Sequence, residues 1–275
     1  MQKFRSILLN TILFLCVAPA AMAQTNVVVL EDATDVMVKD ADMMGVSRHR
    51  TVEILNDKGS DYASFDTQCS NGDKLVSFSG CVTDKEGRVL RKIKKSDLQT
   101  TAYSKEMATD VVTMFFDYTP PTYPIIVTYE WKEEISEEII QYPMFFPQSD
   151  YGIEVKKASY RISVPAAIKC KYAERNTTTT VKCTSSEGNN IYEVEMDNIP
   201  AVSKESYSQK LRQTAPMVLF SPSDFKYMGT SGSLNSWRDF GLWHSGLLTG
   251  RDVLPDALRN ELHQITDTCT SVKSK

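Results

Sequence analysis

The sequence predicts an all-β fold: a large antiparallel β-sandwich that ends in a short C-terminal helical segment. Three observations point there. Short apolar runs rich in Val, Ile and aromatic residues recur from Val27 to about Glu195, separated by turn residues. Strands do not alternate with amphipathic helices, so a doubly wound parallel sheet is not expected. After Pro200 the pattern changes, and apolar residues come at spacings of three and four.

The chain opens on an export signal. Lys3 and Arg5 precede an uncharged, mostly apolar stretch from Ile7 to Ala18, and Ala21-Met22-Ala23 follows with small residues at both ends. That pattern predicts a cleavable secretory leader over residues 1–23 and a mature chain that begins near Gln24 and works in the periplasm or outside the cell. The apolar run is short of the roughly 20 residues that span a bilayer. Cys16 is preceded by Leu15, where a lipidation signal wants a small residue. No later segment approaches spanning length, so no membrane span is expected after cleavage.

Residues 24–200 read as the sandwich. Val27–Leu30 and Val36–Val38 are short apolar runs, and Val46–Leu55 is a strand that alternates in its second half. Asn56-Asp57-Lys58-Gly59 ends it with residues suited to a turn. Leu75–Val82 and Arg88–Ile93 flank the turn Asp84-Lys85-Glu86-Gly87 and predict a hairpin. Val111–Tyr118 and Tyr123–Trp131 are separated by Pro120-Pro121, which cannot sit in a central strand. Ile153–Val164 follows and ends at Pro165. Ala167–Tyr172 and Thr178–Thr184 predict a hairpin about Arg175-Asn176-Thr177, and Ile191–Met196 is a further strand.

Residues 201–233 hold one last strand, Val218–Phe220, and a loop from Ser221 to Ser233. Residues 234–275 are helical. Ser236 can cap the first helix, with Asp239 three residues on. Trp237, Phe240, Trp243 and Leu247 form its stripe, and Gly250 is placed to end it. Leu254-Pro255-Asp256 opens a second helix with Leu258, Leu262 and Ile265 on one face.

Composition narrows the function. Removal of the 23-residue leader leaves 252 of 275 residues, with 29 basic against 35 acidic side chains and a net charge of −6. Nucleic acid, which wants a concentrated basic face, is not an expected partner. The dense basic stretch Arg88–Lys95 follows a turn and reads as a solvated hairpin arm.

Five cysteines remain. In an oxidising compartment Cys170 could bridge to Cys183 across the predicted hairpin, and Cys69 to Cys81, leaving Cys269 over. Five thiols is the other reading.

The chemistry of catalysis is hard to find. His49 lies between two arginines and reads as a solvated edge position. His244 and His263 fall on the helices. No pair of His or Cys has metal-ligand spacing, so neither a metal nor a cofactor is expected. Cys269 and His263 are six residues apart, which puts them on different faces of a helix. The segment Tyr142–Tyr151 carries four rings, Tyr142, Phe145, Phe146 and Tyr151, bounded by prolines. Such a loop either stacks on a glycan or peptide or plugs one end of the sandwich.

The order of these features resembles a family: the β-sandwich domain found before transglutaminase-like domains in secreted bacterial proteins. The matching segments are Leu75–Lys94, the run P-I-I-V-T-Y-E-W from Pro124 to Trp131, Tyr151–Pro165 ending S-V-P, and S-W-R-D-F-G-L-W-H…G-R-D-V-L-P from Ser236 to Pro255. The resemblance implies that a papain-fold transglutaminase-like domain follows the last helix, and this sequence stops about where it would begin. No residue here matches that domain's Cys, His and Asp, so the resemblance assigns no catalytic residue. It implies a non-catalytic exported module whose partner, in cis or in trans, is a transglutaminase-like domain. The alternative is a stand-alone glycan- or peptide-binding protein that uses the 142–151 loop.

Overall fold

The structure is a computed structural model that describes residues 24–70, 72–102, 110–136, 139–227 and 229–269; the leader read at residues 1–23 lies outside them. The elements in order are β1 (Val27–Asp40), β2 (Met43–Ile54), β3 (Phe65–Cys69), β4 (Lys74–Asp84), β5 (Val89–Lys94), β6 (Gln99–Ala102), β7 (Val112–Phe116), β8 (Ile125–Ser136), β9 (Ile153–Pro165), β10 (Cys170–Arg175), β11 (Lys182–Ser186) and β12 (Asn189–Ile199). Then come α1 (Leu211–Thr214), β13 (Met217–Pro222), β14 (Asp224–Tyr227), β15 (Thr230–Ser233), α2 (Trp237–Leu248) and α3 (Asp256–Thr266).

The predicted all-β class is what the chain adopts. One eight-stranded sheet, in the order β11-β12-β9-β1-β2-β8-β4-β5, forms the body. Two smaller sheets, β3-β7-β6 and β10-β13, cover one of its faces. Pairing is antiparallel except at the centre, where β1 and β9 run parallel from Val27 opposite Ile153 to Met37 opposite Ser163.

Side chains alternate between the two faces of a strand. Val27, Ile54, Ile125 and Ile153 therefore line up across four strands on the covered face, each at most 1% exposed. Burying one such side chain fully is worth about 1.5–3 kcal/mol. A bulge in β1 between Val29 and Glu31 switches which residues face inward. Before it Val27 and Val29 are buried; after it Val36 and Val38 are, and Glu31, Ala33 and Asp35 turn to the open face. The two apolar runs read separately in the sequence are thus one strand.

The covering sheets meet the body through rings. Phe65 of β3 contacts Phe78, Tyr129 and Trp131 with centroids 4.4–5.4 Å apart. Phe220 of β13 stacks on Tyr160 of β9 at 4.8 Å. Gly80 of β4 lies under Tyr129, where a Cβ would come within 2.6 Å of the ring.

The hairpin expected from 167–184 does not form. β10 pairs with β13, and β11 pairs with β12 at the edge of the large sheet. Between them Asn176 takes a left-handed conformation (φ 53°) and its amide donates to the carbonyls of Gln213 and Ala215, at 2.9 and 3.0 Å. The turn signal was real, but it sends the chain from one sheet to the other rather than back on itself. The loop expected over Ser221–Ser233 is also different: it folds into the β14-β15 hairpin, with Gly229 at positive φ in the turn.

Candidate functional site

The aromatic segment belongs to the core at half of its rings. Tyr142 is 2% and Phe145 5% exposed. Tyr142 N–H donates to Phe220 O, Phe145 pairs with Val218, and its ring lies 5.9 Å from Tyr160. Phe146 and Tyr151 are half-buried, and the Tyr151 hydroxyl donates to Gln209 O. The segment closes the sandwich between β9 and β13; it does not present four rings to solvent.

Cys69, Cys81, Cys170 and Cys183 are all thiols. Cys69 is buried on the covered side, whereas Cys81 sits opposite Thr128 on the open face. The large sheet separates them, so that pairing is ruled out by geometry. Cys170 and Cys183 were expected on the paired strands of one hairpin; they lie instead on strands of different sheets that face each other. Tyr172, two residues after Cys170, packs edge-on at 5.9 Å against Tyr192, the direct partner of Cys183. Burial, with a smaller contribution from the neighbouring Cys183, pushes the Cys170 thiol up to about 12. His263 engages Asp267 at 3.1 Å, while the Cys269 thiol donates to Ile265 O, so the two side chains do not meet.

Two features stand out instead. The first is the helical tail. Ser236 Oγ accepts from Asp239 N–H at 3.1 Å, the cap that the sequence indicated. Phe240 and Trp243 lean on the β14-β15 hairpin, where Phe225 meets Trp243 edge-on at 4.9 Å. The rest of the apolar surface is uncovered. Trp237 is 90% exposed, Leu242 62% and Ile265 63%, and neither α2 nor α3 buries a single residue.

The second is a groove of ≈ 1040 Å³ on the open face of the large sheet. It crosses the strands from β4 to β12. Two cross-strand rows make its floor: Ser79, Glu130, His49, Ala33 and Ser159 in one, and Lys132, Ser47, Asp35 and Arg161 in the next, so short side chains alternate with charged ones. His49 is at the middle of this floor. It was expected at a solvated edge, but β2 is paired on both sides. Its Nδ1 is 3.1 Å from Glu130 Oε1 and its Nε2 3.2 Å from Thr51 Oγ1. This carboxylate–imidazole–hydroxyl order is that of an activated nucleophile. The surrounding N–H groups are committed to the ladders on both edges of β2, so none is free to stabilise an oxyanion. Thr51 also shares its hydroxyl with Thr128 at 3.1 Å. Among the described residues, no group of three or more His, Cys, Asp or Glu could hold a metal ion.

The groove was not legible in the sequence, because its floor is scattered over five strands; only the pairing assembles it. The helical surface was legible from spacing alone.

No curated protein matches the sequence. Among solved structures, a candidate protease from Parabacteroides distasonis ATCC 8503 is similar, with a TM-score of 0.58 and 14% identity over 72% of this chain and 41% of that chain. At that identity the likeness is one of fold alone. An M1 zinc metallopeptidase from Deinococcus radiodurans (TM-score 0.34, 9% identity, 73% of this chain and 43% of that chain) is too distant to carry an argument. So is a candidate nutrient-binding protein from Legionella pneumophila subsp. pneumophila str. Philadelphia 1 (0.35, 8%, 73% and 68%). The chain spans less than half the length of the first two. A family profile, that of a domain of unknown function with a solved structure, matches residues 42–203, which run from the start of β2 past the end of β12. With well over half of its length matched, this chain belongs to the DUF3857 family.

Proposed function

We propose that the chain is a non-catalytic, exported β-sandwich module whose α2-α3 segment docks on a transglutaminase-like catalytic domain, in cis or in trans. The observation that carries this reading is the apolar surface that α2 and α3 leave uncovered beyond the contact of Phe240 and Trp243 with the β14-β15 hairpin. Helices of 12 and 11 residues are marginal in water without a packing partner. Trp237, Leu242, Leu248, Leu258, Leu262 and Ile265 offer that partner a large apolar area. The family resemblance supports this choice of partner, since the run from Ser236 to Pro255 resembles the segment that precedes a transglutaminase-like domain in secreted bacterial proteins. The leader at 1–23 supports the compartment.

The test is co-elution of the mature chain with a papain-fold transglutaminase-like domain from a secreted protein of this architecture. A complex that is lost on Trp237→Ser with Leu242→Ser, at unchanged unfolding temperature of the sandwich, supports the reading. Peptide hydrolysis or amine crosslinking by the purified mature chain alone, lost on Cys269→Ala, would overturn it. The stand-alone reading through residues 142–151 has less support, because Tyr142 and Phe145 hold the core.

A further inference from the structure

Cleavage after Ala23, the cut that the leader predicts, makes Gln24 the first residue of the mature chain. A glutamine in that place holds a nucleophile and an electrophile within one residue. Its α-amino nitrogen can reach its own side-chain carbonyl carbon in a five-membered ring. Closure inside one residue needs no encounter, which is the largest advantage an intramolecular reaction has.

The fold builds a contact at that residue. Val27 begins β1 and is 1% exposed. Just before it, Asn26 fastens the chain on three sides. Its N–H donates to Gly152 O at 2.8 Å, its carbonyl accepts from Leu55 N–H at 2.9 Å, and its side-chain oxygen accepts from Asn56 Nδ2 at 3.2 Å. Asn56 in turn caps the 3-10 turn Asp57–Ala63 by accepting from Lys58 N–H at 3.0 Å. Gly59 of that turn lies against Val27, where a Cβ would come within 2.6 Å of the side chain. These contacts fix where Lys58 emerges. Its Nζ donates to Gln24 Oε1 at 3.3 Å, and Gln24 itself is exposed.

An ammonium on that oxygen helps the amine to add. It draws electron density from the carbonyl carbon, and it stabilises the negative charge that gathers on the oxygen as the new bond forms. The amine is a competent nucleophile once neutral, and a chain-terminal amine titrates near about 8.

We propose that Gln24 is a modification site: once the leader is removed, the residue closes to pyroglutamate while Lys58 holds its carbonyl oxygen. The α-nitrogen forms a bond to Cδ and the bond from Cδ to Nε2 breaks. Nε2 leaves as ammonia with the proton that the α-nitrogen gives up, so no oxidant or co-reactant is required. The product has no terminal amine for an aminopeptidase to grip. That protects the central strand, because removal of three residues would take away Asn26 and with it the fastening of β1 to Gly152, Leu55 and Asn56. The site rests on the leader reading and not on the docking of α2 and α3.

The experiment exports the full chain, leader included, from a bacterial host and follows the purified product by intact mass and by its N-terminal peptide during incubation at about pH 8. The expected end point is the mass of residues 24–275 less one ammonia, reached at a rate that dilution does not change. Lys58→Met should slow closure about threefold, the size of one exposed charge contact. Gln24→Asn, whose ring would have four members and be strained, should keep its amine. A broad-specificity aminopeptidase should then trim Gln24→Asn and leave the closed chain intact. A chain that starts at Gln24 and keeps its full mass throughout would overturn the proposal, as would closure at an unchanged rate in Lys58→Met. Equal trimming of the closed chain and Gln24→Asn would overturn the protective role. A chain that starts elsewhere or retains residues 1–23 would overturn the leader reading together with the site, and the mass tells that failure from the others.

Discussion

Lys226 Nζ donates to the Asp42 carboxylate at 2.7 Å, tying the β14-β15 hairpin to the turn between β1 and β2, 184 residues away in sequence. The Lys226 hydrogen bond, with a further one involving Asp40, holds the Asp42 carboxyl below its ordinary value. A carboxyl lowered in the folded state adds stability above its unfolded value and loses it as the pH falls through the folded one. The protection factors of β14 and β15 amides, taken relative to intrinsic exchange at each pH, should therefore fall below about pH 4. Lys226→Met should exchange faster at pH 7 and show no such acid step. An acid step of the same size in Lys226→Met would refute the tether.

The aromatic segment can be assigned by stability rather than binding. Phe145→Ala removes a buried ring beside Tyr160 and should cost about 3–5 kcal/mol in urea unfolding. A loss under 1 kcal/mol would mean that this ring is free for a ligand after all.

Two changes should loosen the helical tail and spare the sandwich. Ser236→Ala deletes the cap of α2 and should cost that helix about 1 kcal/mol. Gly232→Ala would place a Cβ 2.4 Å from the Phe225 ring and 2.9 Å from Trp243, forcing α2 off its hairpin. Exchange should rise in residues 237–248 for both variants, while β1, β2 and β9 stay protected. Equal loss of protection in the large sheet would show that tail and sandwich unfold as one.

Cysteine pairing has one geometrically open choice. Oxidation of the mature chain by a glutathione redox buffer should link Cys170 to Cys183, passing two electrons and two protons to glutathione disulfide. Cys183, the exposed partner, should be the attacking thiol, because Cys170 is held protonated by its burial. Non-reducing peptide mapping checks this. A Cys69–Cys81 link in native protein would contradict the fold, since the large sheet lies between them.

What the sequence disclosed was what local spacing can carry. The strand from Ile125 to Trp131 alternates and is β-branched, and it forms β8. Ser236 and Asp239 sit at capping distance, and they cap α2. The helical stripe was visible because three- and four-residue spacing survives any tertiary context. The misread hairpin at 167–184 shows the limit: Asn176 announces a turn, but partners are chosen by the sheets on either side. β14 and β15 were missed because four-residue strands with Gly and Pro nearby carry no period. The groove was invisible for a further reason. Serines and alanines on a strand are unremarkable one at a time, and only the bulge after Val29 sends Ala33 to the open face with them.

The parallel pairing of β1 with β9 has a consequence in time. Val27 meets Ile153, a partner 126 residues later, and β1 is wedged between that strand and β2. Contacts so far apart in sequence make folding slow, because a long loop must close before any of them is rewarded. The nascent chain cannot complete its central sheet until β9 has emerged. Until then β1 has only β2 beside it, and one whole edge of the central pair stays open.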